Sequence, residues 1–527
     1  MGEPVFAVTS AIAYGSGPPH LGQAYQYIFA DATARFHRLD GYRVLFSGGM
    51  DENGMKVPLI AAEQGITEND LIDRTAEQFR QLASALGISC DRVVRTAGPE
   101  HRRACTDLWT RMANSGDIYL DDYSGWYSAR TDLFHPDGET TSRPDGVQVV
   151  RATGHPVVRF EQPLHFFRLS KYRDRLLAMH ESDPDLVGPP SRRAEIVAEI
   201  AAGLSDFPIS CSEVGWGVPV PDSPRHRIHV WFDALASYLT ALRGEYERVA
   251  WPPDLQITSR GSIRFHAIHW PAFLMSAGLR TPARIFGHGL LLSAGRRMSR
   301  QGGTLPGISE LISEYGADAT RLFALRHGPF GLDGEFSTRA LVRVANHELA
   351  DGLGELARRC AAEIAGHSPG EVPECGPLLD ADTELLTVAD GLLATCRRAY
   401  RAQSIHRAME AIGACVFAAR VYLEEQTRSS DRQRTGTVLY VTVEILRIVG
   451  ILLQPAVPET AGRLLTHLGR NAPARTFAAL SARIEPGTRL TGPVDVFLRI
   501  GFPGSSSAST CGQNRNTVVR SDTGAVT

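Results

Sequence analysis

The sequence predicts an α/β protein in which a doubly wound parallel sheet is interrupted by an insertion and followed by an α-helical bundle. Three observations predict this fold class. The chain opens with an apolar strand, a Gly/Pro loop and a helix, which is the order of a doubly wound unit. The middle of the chain is irregular and rich in Gly, Pro and Asp, as an inserted module is. The last third repeats apolar residues at helical spacing.

The opening unit gives the clearest element predictions. Residues 5–9 are predicted as a buried strand, residues 14–22 as a loop and residues 24–39 as a helix. A second apolar run, residues 42–47, is predicted as the next parallel strand. A doubly wound domain binds its ligands at the carboxyl ends of such strands.

The later elements complete the same plan. The pattern is irregular from about residue 116 to residue 226, and strand-like apolar runs then return in HRIHVWFDALASYL and RIFGHGLLL. We therefore expect the α/β domain to close after the insertion. Beyond Ser337 the chain is predicted to be helical, and the final stretch from Gly501 is predicted to be disordered because it has few apolar anchors.

Composition indicates a soluble protein of several domains. The 527 residues are too many for one hydrophobic core, and 43% hydrophobic with 21% charged residues is typical of globular chains. A formal charge of -3 gives no general basic field for nucleic acid, although a local patch is compatible with it. No apolar run reaches the length of a membrane span, and the start lacks the pattern of a signal peptide. The eight scattered cysteines form no CxxC pair, so we expect reduced cytoplasmic thiols and no cysteine metal site.

The segment HLGQ, His20 to Gln23, is the first candidate for chemistry. It lies between the first strand and the first helix, and Gly22 lets a phosphate or adenine approach the helix amino terminus closely. Free backbone N–H groups and the helix dipole favour an anion there. A histidine at a helix start is also common as a simple cap or core residue, so this motif alone is weak evidence.

A second candidate is the distant segment HGLLLSAGRRMSRQGG. It places Arg296, Arg297 and Arg300 on a glycine-rich loop, a pattern that a solvated basic loop would also show. Taken together, the two segments suggest a triphosphate held from two sides. That arrangement stabilises the charge that develops on a leaving pyrophosphate.

With these motifs in this order, the chain resembles the methionyl-tRNA synthetase family of class I aminoacyl-tRNA synthetases, from its first strand to about residue 500. AIAYGSGPPHLGQAYQY is similar to the family's HIGH segment, FSGGMDENGMK to its TGTDEHG segment and RRMSRQ to its KMSKS loop. The segments HVWFDALASYLTAL, SIRFHAIHWPAFLMSAG and LLQPAVPETAGRLLTHLG are further matches. The resemblance implies ATP-dependent activation of an amino acid as its aminoacyl-adenylate, with ATP and Mg²⁺ as cofactors.

The resemblance also implies the fold and its division. The fold would be a Rossmann-type class I synthetase catalytic domain with an inserted connective domain and a C-terminal, anticodon-binding-like α-helical bundle. The implied domains are the first catalytic half (1–115), a zinc-free connective insertion (116–228), the second catalytic half (229–285), the KMSKS-like loop and stem-contact region (286–336), the helical bundle (337–485) and a largely disordered C-terminal extension (486–527).

Site residues follow position by position from the resemblance. Gln23 takes the place of the second signature histidine and can donate a hydrogen bond to phosphate, but it cannot become cationic. Asp51 matches the carboxylate near the substrate amino group. The implied catalytic residues are His20, Gln23, Arg297 and Arg300, and ATP binding adds Gly17, Gly22, Gly261, His288, Gly289, Met298 and Ser299. The implied amino-acid pocket consists of Ile12, Tyr14, Asp51, Trp231, Ala234, Leu235, Tyr238, Ser262, His266, His269 and Trp270.

Three positions of the pocket region depart from the family pattern. Gly261 stands where the family has an Asp that helps to hold the adenylate ribose, and Ser262 stands where it has an Ile that lines the pocket. His269 occupies a position that is usually aromatic. Losing the Ile contacts would cost a thioether substrate on the order of 1–3 kcal/mol. These changes favour a different or more polar amino acid.

The predicted tRNA-binding surface departs as well. Ser429 stands in the segment where family members expose a Trp for an anticodon base, and no Trp follows Trp270. Asp351 and Glu355 replace two amides, a change offset in part by Gly352, which stands where the family has an Asp, and added carboxylates would repel phosphates. Reading of a methionine anticodon therefore looks unfavourable. Ser128 and its neighbours lack the cysteines of a zinc knuckle, so no metal site and no structural zinc are expected.

These departures favour a divergent paralogue that transfers an activated amino acid to a second small-molecule or carrier acceptor rather than to tRNA. The acceptor could be an N-hydroxylated amino acid in a hydrazine-type natural-product pathway, with a separate cupin-type partner. tRNA remains a possible partner, and a membrane is not expected. Two alternatives stay open: a genuine methionyl-tRNA synthetase, and a catalytically inactive regulatory or tRNA-binding paralogue.

Overall fold

A parallel, seven-stranded sheet forms the centre of the computed structural model, which describes residues 3–15, 17–212, 215–243, 250–293, 295–297, 307–368, 370–428, 431–491 and 495–502. Five strands follow the order β10-β16-β15-β1-β3, and both β2 and β4 pair with β3. The predicted α/β class is thereby confirmed. The strands of this sheet are β1 (Val5–Ser10), β2 (Ala13–Tyr14), β3 (Arg43–Asp51), β4 (Arg92–Arg95), β10 (Val187–Gly188), β15 (Leu255–Ser259) and β16 (Ile285–His288).

The first helix, α1 (Leu21–Leu39), begins three residues earlier than the sequence predicts. His20 caps it and so fixes its start at the end of the Gly/Pro loop. Strand β3 runs four residues beyond its predicted end at Ser47, because its last seven residues are buried inside the sheet. Gly48 fits here only as glycine, since an added Cβ would lie 2.5 Å from the ring of Tyr27.

The remaining helices before residue 277 belong to the two catalytic halves, except for two within the insertion (residues 173–202), and one helix corrects a prediction. The run HRIHVWFDALASYL is a strand only as far as Ile228, and the rest is helical. Because this helix is buried on most of its sides, its apolar residues do not show one-sided spacing. The helices are α2 (Lys56–Gln64), α3 (Glu68–Ala85), α4 (Pro99–Asn114), α5 (Arg173–Ser182), α6 (Pro190–Ala202), α7 (Val230–Ala241) and α8 (Trp270–Ser276).

The inserted module is built on small antiparallel sheets. A four-stranded sheet has the order β11-β9-β5-β6, a three-stranded sheet has the order β12-β14-β13, and β7 pairs with β8. Strand β10 leaves the module and joins the central sheet beside β16. The strands are β5 (Ile118–Ser128), β6 (Leu133–His135), β7 (Thr140–Ser142), β8 (Gln148–Val150), β9 (Val158–Phe167), β11 (Phe207–Pro208), β12 (Ser210–Ser212), β13 (Pro219–Val220) and β14 (Ser223–Ile228).

After the sheet, the chain is mainly helical, as predicted. Three short strands come first: β17 (Leu291–Ser293), β18 (Arg296–Arg297) and β19 (Gly334–Glu335). The helices are α9 (Ile308–Tyr315), α10 (Ala317–Arg326), α11 (Thr338–Ala345), α12 (Glu355–His367), α13 (Asp380–Asp390), α14 (Leu392–Arg401), α15 (Ile405–Gln426), α16 (Arg432–Leu453) and α17 (Pro458–His467).

A buried arginine fixes the helical region to the catalytic domain. Arg321 is fully buried, and its Nη2 lies 2.7 Å from Asp31 Oδ2 on α1. The same guanidinium donates to the carbonyl oxygens of Pro455 at 2.8 Å and Ala456 at 2.9 Å. One hydrophobic core also runs from α1 into the bundle, so the two regions are packed as one body.

Helix α16 is the core of the bundle. It is long and apolar enough to cross a membrane, but its apolar stretch is wholly buried within the protein, as in a core helix. Its Arg447 donates to the carboxylate of Glu444 at 2.6 Å inside that core. After the bundle, Ile500 exchanges two hydrogen bonds of 2.8 Å with Asn346. The predicted disorder of residues 503–527 lies outside the described residues.

Candidate active site

The carboxyl ends of β1, β3, β15 and β16 meet at one edge of the sheet, where the candidate site lies. The short strand β2 pairs in parallel with the end of β3, and the Gly15 N–H donates to the Asp51 carbonyl oxygen at 2.6 Å. A Cβ on Gly15 would lie 2.8 Å from that oxygen, so the two backbones approach closely only because residue 15 is glycine. Ile12 and Tyr14, both predicted pocket residues, are half-buried beside this pairing.

Asp51 ends β3 with a buried carboxylate. It is 4% exposed, and its Oδ1 has no hydrogen-bond partner among the described residues. Burial and then the carboxylates of Asp233 and Asp132 raise the pKa of Asp51 well above its usual range, while Lys56 opposes the shift. The Lys56 Nζ lies 4.3 Å from the centre of the Tyr14 ring. A positively charged group bound beside Asp51 would favour its ionised form and so oppose this shift.

The predicted side wall of the amino-acid pocket is aromatic and comes from α7 and residues 265–270. Trp231 stacks on Phe265 with ring centres 3.8 Å apart, and Trp270 is fully buried. The Tyr238 hydroxyl lies 2.7 Å from His266 Nε2, and His266 Nδ1 lies 2.9 Å from the Ser262 carbonyl oxygen. Because a carbonyl can only accept, Nδ1–H donates to it and the tyrosine hydroxyl donates to Nε2. Burial lowers the pKa of His266 to about 4, so the ring is neutral at neutral pH.

The structure places the three residues that depart from the family pattern in this region, Ser262, Gly261 and His269. The Ser262 hydroxyl lies 2.7 Å from Thr258 Oγ1 and 2.9 Å from Ser259 Oγ, so its polarity is satisfied inside the turn. A Cβ on Gly261 would meet only Ser259 Oγ, at 3.8 Å, so the loss of the carboxylate is not forced by space. His269 is buried, and burial lowers its pKa to about 3. Leu235 is buried and Ala234 half-buried on the neighbouring helix.

The predicted phosphate end of the site is the amino terminus of α1. His20 Nδ1 accepts the Gln23 backbone N–H at 3.3 Å, and Gln23 Oε1 accepts the His20 backbone N–H at 3.0 Å. Gln23 is thus the third helical residue of a capping box, a role that a histidine does not normally fill. The Gln23 side-chain oxygen accepts a hydrogen bond in this cap. The side-chain NH₂ group is left to donate to a phosphate. Gly22 packs against the His20 ring, 3.1 Å from an added Cβ, and Gly17 is half-buried in the preceding loop.

His288 ends β16 and contacts α1. Its Nδ1 lies 2.7 Å from the Gly289 carbonyl oxygen, its Nε2 lies 3.2 Å from Gln26 Oε1, and burial lowers its pKa to about 4. Gln26 also donates to Ser10 Oγ at 2.6 Å and so joins the ends of β1 and β16. Sequence reasoning missed Gln26, although a polar residue three positions after Gln23 on the inner face of α1 was visible.

Gly289, the next predicted ATP-binding residue, lies very close to a neighbouring loop. A Cβ on Gly289 would lie 2.0 Å from the Leu332 carbonyl oxygen, so only glycine fits at this position.

Only the beginning of the predicted basic loop can be located. Strand β18 pairs antiparallel with β17, which places Arg297 opposite Leu292 in the ladder. Strand β17 is fixed in turn by its parallel pairing with β19. The predicted residues Met298, Ser299 and Arg300 lie outside the described residues, so contact of this loop with phosphates stays a prediction.

Two buried carboxylates near the pocket were missed from the sequence. Asp132 Oδ1 accepts the Met55 N–H at 3.0 Å and the Tyr127 hydroxyl at 2.7 Å, and burial raises its pKa to about 6. Asp233 on α7 is fully buried, with its Oδ2 2.9 Å from Asn53 Nδ2. For Asp233, the sequence offered one signal, namely an acidic residue inside the apolar run VWFDALASYL.

Together, the doubly wound sheet, the capped helix at its carboxyl edge and the buried Asp51 near an aromatic cluster fit a class I aminoacyl-tRNA synthetase, an ATP-dependent ligase that forms aminoacyl-adenylates. The family model "tRNA synthetases class I (M)" matches residues 6–361. The chain belongs to the methionyl-tRNA synthetase family.

Its relatives match over nearly the whole chain. The methionine–tRNA ligase of Mycobacterium bovis is 44% identical over 94% of this chain and 98% of its own length, and that of Rhizobium meliloti is 41% identical over 94% and 98%. The structure of Mycobacterium tuberculosis methionyl-tRNA synthetase in complex with methionyl-adenylate matches with a TM-score of 0.92 and 44% identity, over 94% of this chain and all of that one. The free form of that enzyme matches with a TM-score of 0.86.

These relatives overturn the prediction of a small-molecule or carrier acceptor. Proteins 41–44% identical over about 94% of the chain are methionine–tRNA ligases, and nothing supports a natural-product role or a cupin partner. The structure also gives a reason why the tRNA argument was wrong. Asp351 pairs with Arg499 and Glu355 pairs with Arg358, so each added carboxylate has its own counter-charge. Ser429 lies outside the described residues.

Proposed function

We propose that this protein is a methionyl-tRNA synthetase that activates methionine with ATP and transfers it to tRNA. The observation that carries the proposal is the unpartnered, buried Oδ1 of Asp51 at the head of an aromatic pocket. A buried carboxyl oxygen without a donor is suited to an α-ammonium group, which brings both charge and hydrogen bonds and favours the ionised carboxylate. The identity to methionine–tRNA ligases along the whole chain supports the choice of side chain.

The pocket wall fits an uncharged, polarisable side chain. His266 is neutral and, with both ring nitrogens engaged, is held in one tautomer by Ser262 and Tyr238. A thioether sulfur packs well at aromatic edges and accepts only weak hydrogen bonds. Trp231, stacked on Phe265, supplies such a surface. Because the Ser262 hydroxyl is satisfied in its turn, it does not make the pocket polar.

The adenylation step needs no protein nucleophile. The methionine carboxylate attacks the α-phosphate of ATP, and pyrophosphate leaves with the negative charge. The amino terminus of α1 with His20 and Gly22, together with the Gln23 NH₂ group, would stabilise that charge. Arg297 and Arg300 would add positive charge to neutralise the phosphates, and Gly289 and His288 would border the nucleotide. These donors are neutral or cationic and do not suit Mg²⁺, which we expect to enter on the ATP phosphates.

The acceptor is proposed to be tRNA, bound by the helical bundle and the stem-contact region. The domain division given above is part of the same proposal, as are the cytoplasmic location and the absence of a zinc knuckle. The paired acids Asp351 and Glu355 leave this surface without uncompensated charge at these two positions.

Two assays test the proposal. Exchange of labelled pyrophosphate into ATP is measured with each of the twenty amino acids, and exchange should be strongest with methionine. Charging of methionine tRNA and of one non-cognate tRNA is then measured with labelled methionine, and only the first should be charged. Strongest exchange with another amino acid would refute the substrate, and methionine exchange without charging would refute the acceptor.

A further inference from the structure

The outer face of α15 carries an aromatic ring that the fold leaves exposed. Phe417 is 65% exposed, more than any other large apolar side chain among the residues that the structure describes. Ala414 and Val421, one turn before and after it, are also exposed, so the three side chains form a small apolar patch. Aromatic residues are enriched at binding surfaces, because one ring buries a large apolar area.

Phe417 lies on the side of α15 that faces α10 and α12. Glu410 and Glu424 are each seven residues from it, or about two helical turns, so all three residues lie along one side of the helix. Glu410 Oε1 lies 3.1 Å from Nη1 of Arg326, the last residue of α10. Glu424 Oε2 lies 3.9 Å from Arg359 Nη1 on α12. The ring therefore lies between two ion pairs that join α15 to its neighbours.

The segment beside Phe417 has an unusual backbone. Residues 346–354 form a π-helix between α11 and α12. A Cβ on Gly352 would lie 3.0 Å from a carbonyl oxygen five residues earlier, so a larger residue would crowd this wide turn, and 3.9 Å from Val416 Cγ1 on α15. π-helical turns are rare and often occur at functional sites. The same segment carries Asp351, part of the predicted tRNA-binding surface, so the exposed ring adjoins that surface.

A cation without a carboxylate partner lies close to the ring. Arg420 follows Phe417 by three residues and is half-buried, and its Nε has no hydrogen-bond partner among the described residues. Glu424, one turn further on, pairs with Arg359 instead, so the Arg420 guanidinium has no ion pair in the part of the chain that the structure describes. An exposed ring beside a guanidinium suits a nucleotide of a single strand, since the base stacks on the ring and the cation neutralises the phosphate.

We propose that Phe417 is a stacking platform for one unpaired base of the tRNA, and that Arg420 binds the phosphate next to that base. The inference rests on the proposed function and deepens it by naming a contact with the acceptor. A patch of three side chains offers far less than the roughly 800 Å² per partner that a stable protein interface buries, so it does not suit a second copy of this chain. One base covers one ring, and every base has an aromatic face that can stack.

The test compares Phe417→Ala, Phe417→Leu and Phe417→Trp with Val388→Ala, a control that shortens an apolar side chain 53% exposed on α13. Charging with labelled methionine is measured against tRNA concentration. Phe417→Ala and Phe417→Leu should each raise the KM for tRNA about tenfold with kcat within about twofold, because the stacking ring is lost. Phe417→Trp keeps a ring and should follow the wild type, as should Val388→Ala. An unchanged KM in Phe417→Ala, or a wild-type KM in Phe417→Leu, would overturn the proposal.

Further measurements separate stacking from other causes. Binding of tRNA should quench the added fluorescence of Phe417→Trp, measured as the difference from the wild type, and no added quenching would overturn stacking. Arg420→Gln should lower the slope of log KM against log salt concentration by about 0.7, the value for one phosphate of a single strand, and an unchanged slope would overturn the phosphate contact. If Phe417→Ala instead abolished self-association of the wild type in sedimentation, the patch would bind a second copy and the proposal would be wrong.

Pyrophosphate exchange without tRNA distinguishes this inference from the proposed function. All of these variants should exchange with methionine as the wild type does, because the patch lies in the helical bundle and not at the catalytic domain's candidate site. Failure of the wild type to exchange with any amino acid would refute the proposed function. Normal exchange together with normal charging in Phe417→Ala would refute only the contact with the base.

Discussion

The two ends of the candidate site are built in opposite ways. At the amino-acid end, Tyr238 and His266 are buried and joined by a hydrogen bond of 2.7 Å, and Asp51 is 4% exposed. At the phosphate end, His20 lies exposed at a helix terminus and is held by the local capping box with Gln23. Interactions in a low-dielectric interior are strong and costly to break, whereas exposed ones are screened. In the proposed enzyme, specificity for the amino acid would therefore be built into the core, while phosphate binding would depend on a helix end and a separate loop.

The largest effect should come from the carboxylate at the buried end. Asp51→Asn removes the partner of the substrate ammonium, and losing one member of a buried charge pair costs about 2–5 kcal/mol. Pyrophosphate exchange should therefore fall by roughly two to three orders of magnitude in kcat/KM. Asp174→Asn, a change at an aspartate that is 88% exposed, is the control and should leave exchange unchanged. A loss of less than threefold in Asp51→Asn would show that the Asp51 carboxylate is not used.

Acidic pH should lower the stability of the folded protein, because the histidines at its buried amino-acid end are held in the neutral form. Burial lowers the pKa of His229, His266 and His288 to about 4, below the value near 6.5 of an unfolded chain. Their contribution to stability is complete above pH 6.5 and is lost as pH falls towards 4, because the unfolded chain binds the protons. Two buried carboxyl groups act in the opposite direction: the pKa of Asp132 is raised to about 6 and that of Asp51 is raised as well, so both stabilise the folded state as pH falls and offset part of the loss.

The net loss should be about a few kcal/mol, seen as a Tm that falls between pH 6.5 and pH 4. Thermal unfolding followed by circular dichroism in buffers of constant ionic strength measures it. A flat or rising Tm on acidification would mean that these histidines are not buried in neutral form.

Gly289, which directly follows β16, allows the packing of the backbone to be tested without removing a polar side chain. Gly289→Ala places a methyl group 2.0 Å from the Leu332 carbonyl oxygen, so the two backbones must move apart. Such overpacking costs about 1–3 kcal/mol. Gly261→Ala is the matched control, because its Cβ would meet nothing closer than 3.8 Å. Chemical denaturation should show a clear destabilisation for the first variant and none for the second, and equal stabilities would contradict the close approach.

The sequence predicted features that depend on neighbouring residues and missed those that depend on contacts between distant residues. Periodicity along the chain predicted the sheet and the bundle, because each element carries its own pattern. It failed at α7, where burial on most sides hides the helical spacing of VWFDALASYL. The capping role of Gln23 depends on residues three apart and could have been read locally. The contact of Asp233 with His101 joins residues 132 apart, and no local pattern reveals it.

The prediction of a non-tRNA acceptor was wrong for a related physical reason, because it considered the substituted residues without their neighbours. The sequence shows that Asp351 and Glu355 are acids, but only the fold shows the arginines that pair with them. Likewise, the hydroxyl of Ser262 is polar in the sequence and satisfied in the structure. A substituted residue has to be judged with its partners.

A modest effect is expected from one hydroxyl of the pocket wall. Tyr238→Phe removes the donor to His266 Nε2 while keeping the ring, and one such hydrogen bond is worth about 1 kcal/mol. The KM for methionine should rise about fivefold with kcat little changed, since the imidazole is no longer held in one orientation. Steady-state pyrophosphate exchange measures both constants. A fall in kcat without a change in KM would place the tyrosine in the chemical step instead.

The smallest effect should come from the exposed cap. Gln23→Ala breaks one half of the capping box, which costs about 1 kcal/mol of helix stability, and it removes one donor to the phosphates. The KM for ATP should rise only a few-fold, because the helix N–H groups and the basic loop remain. Gln23→His, which restores the family residue, should lose the same stability but recover ATP binding. If Gln23→Ala instead abolished exchange, the phosphate end would be as tightly built as the pocket, and the contrast between the two ends would be wrong.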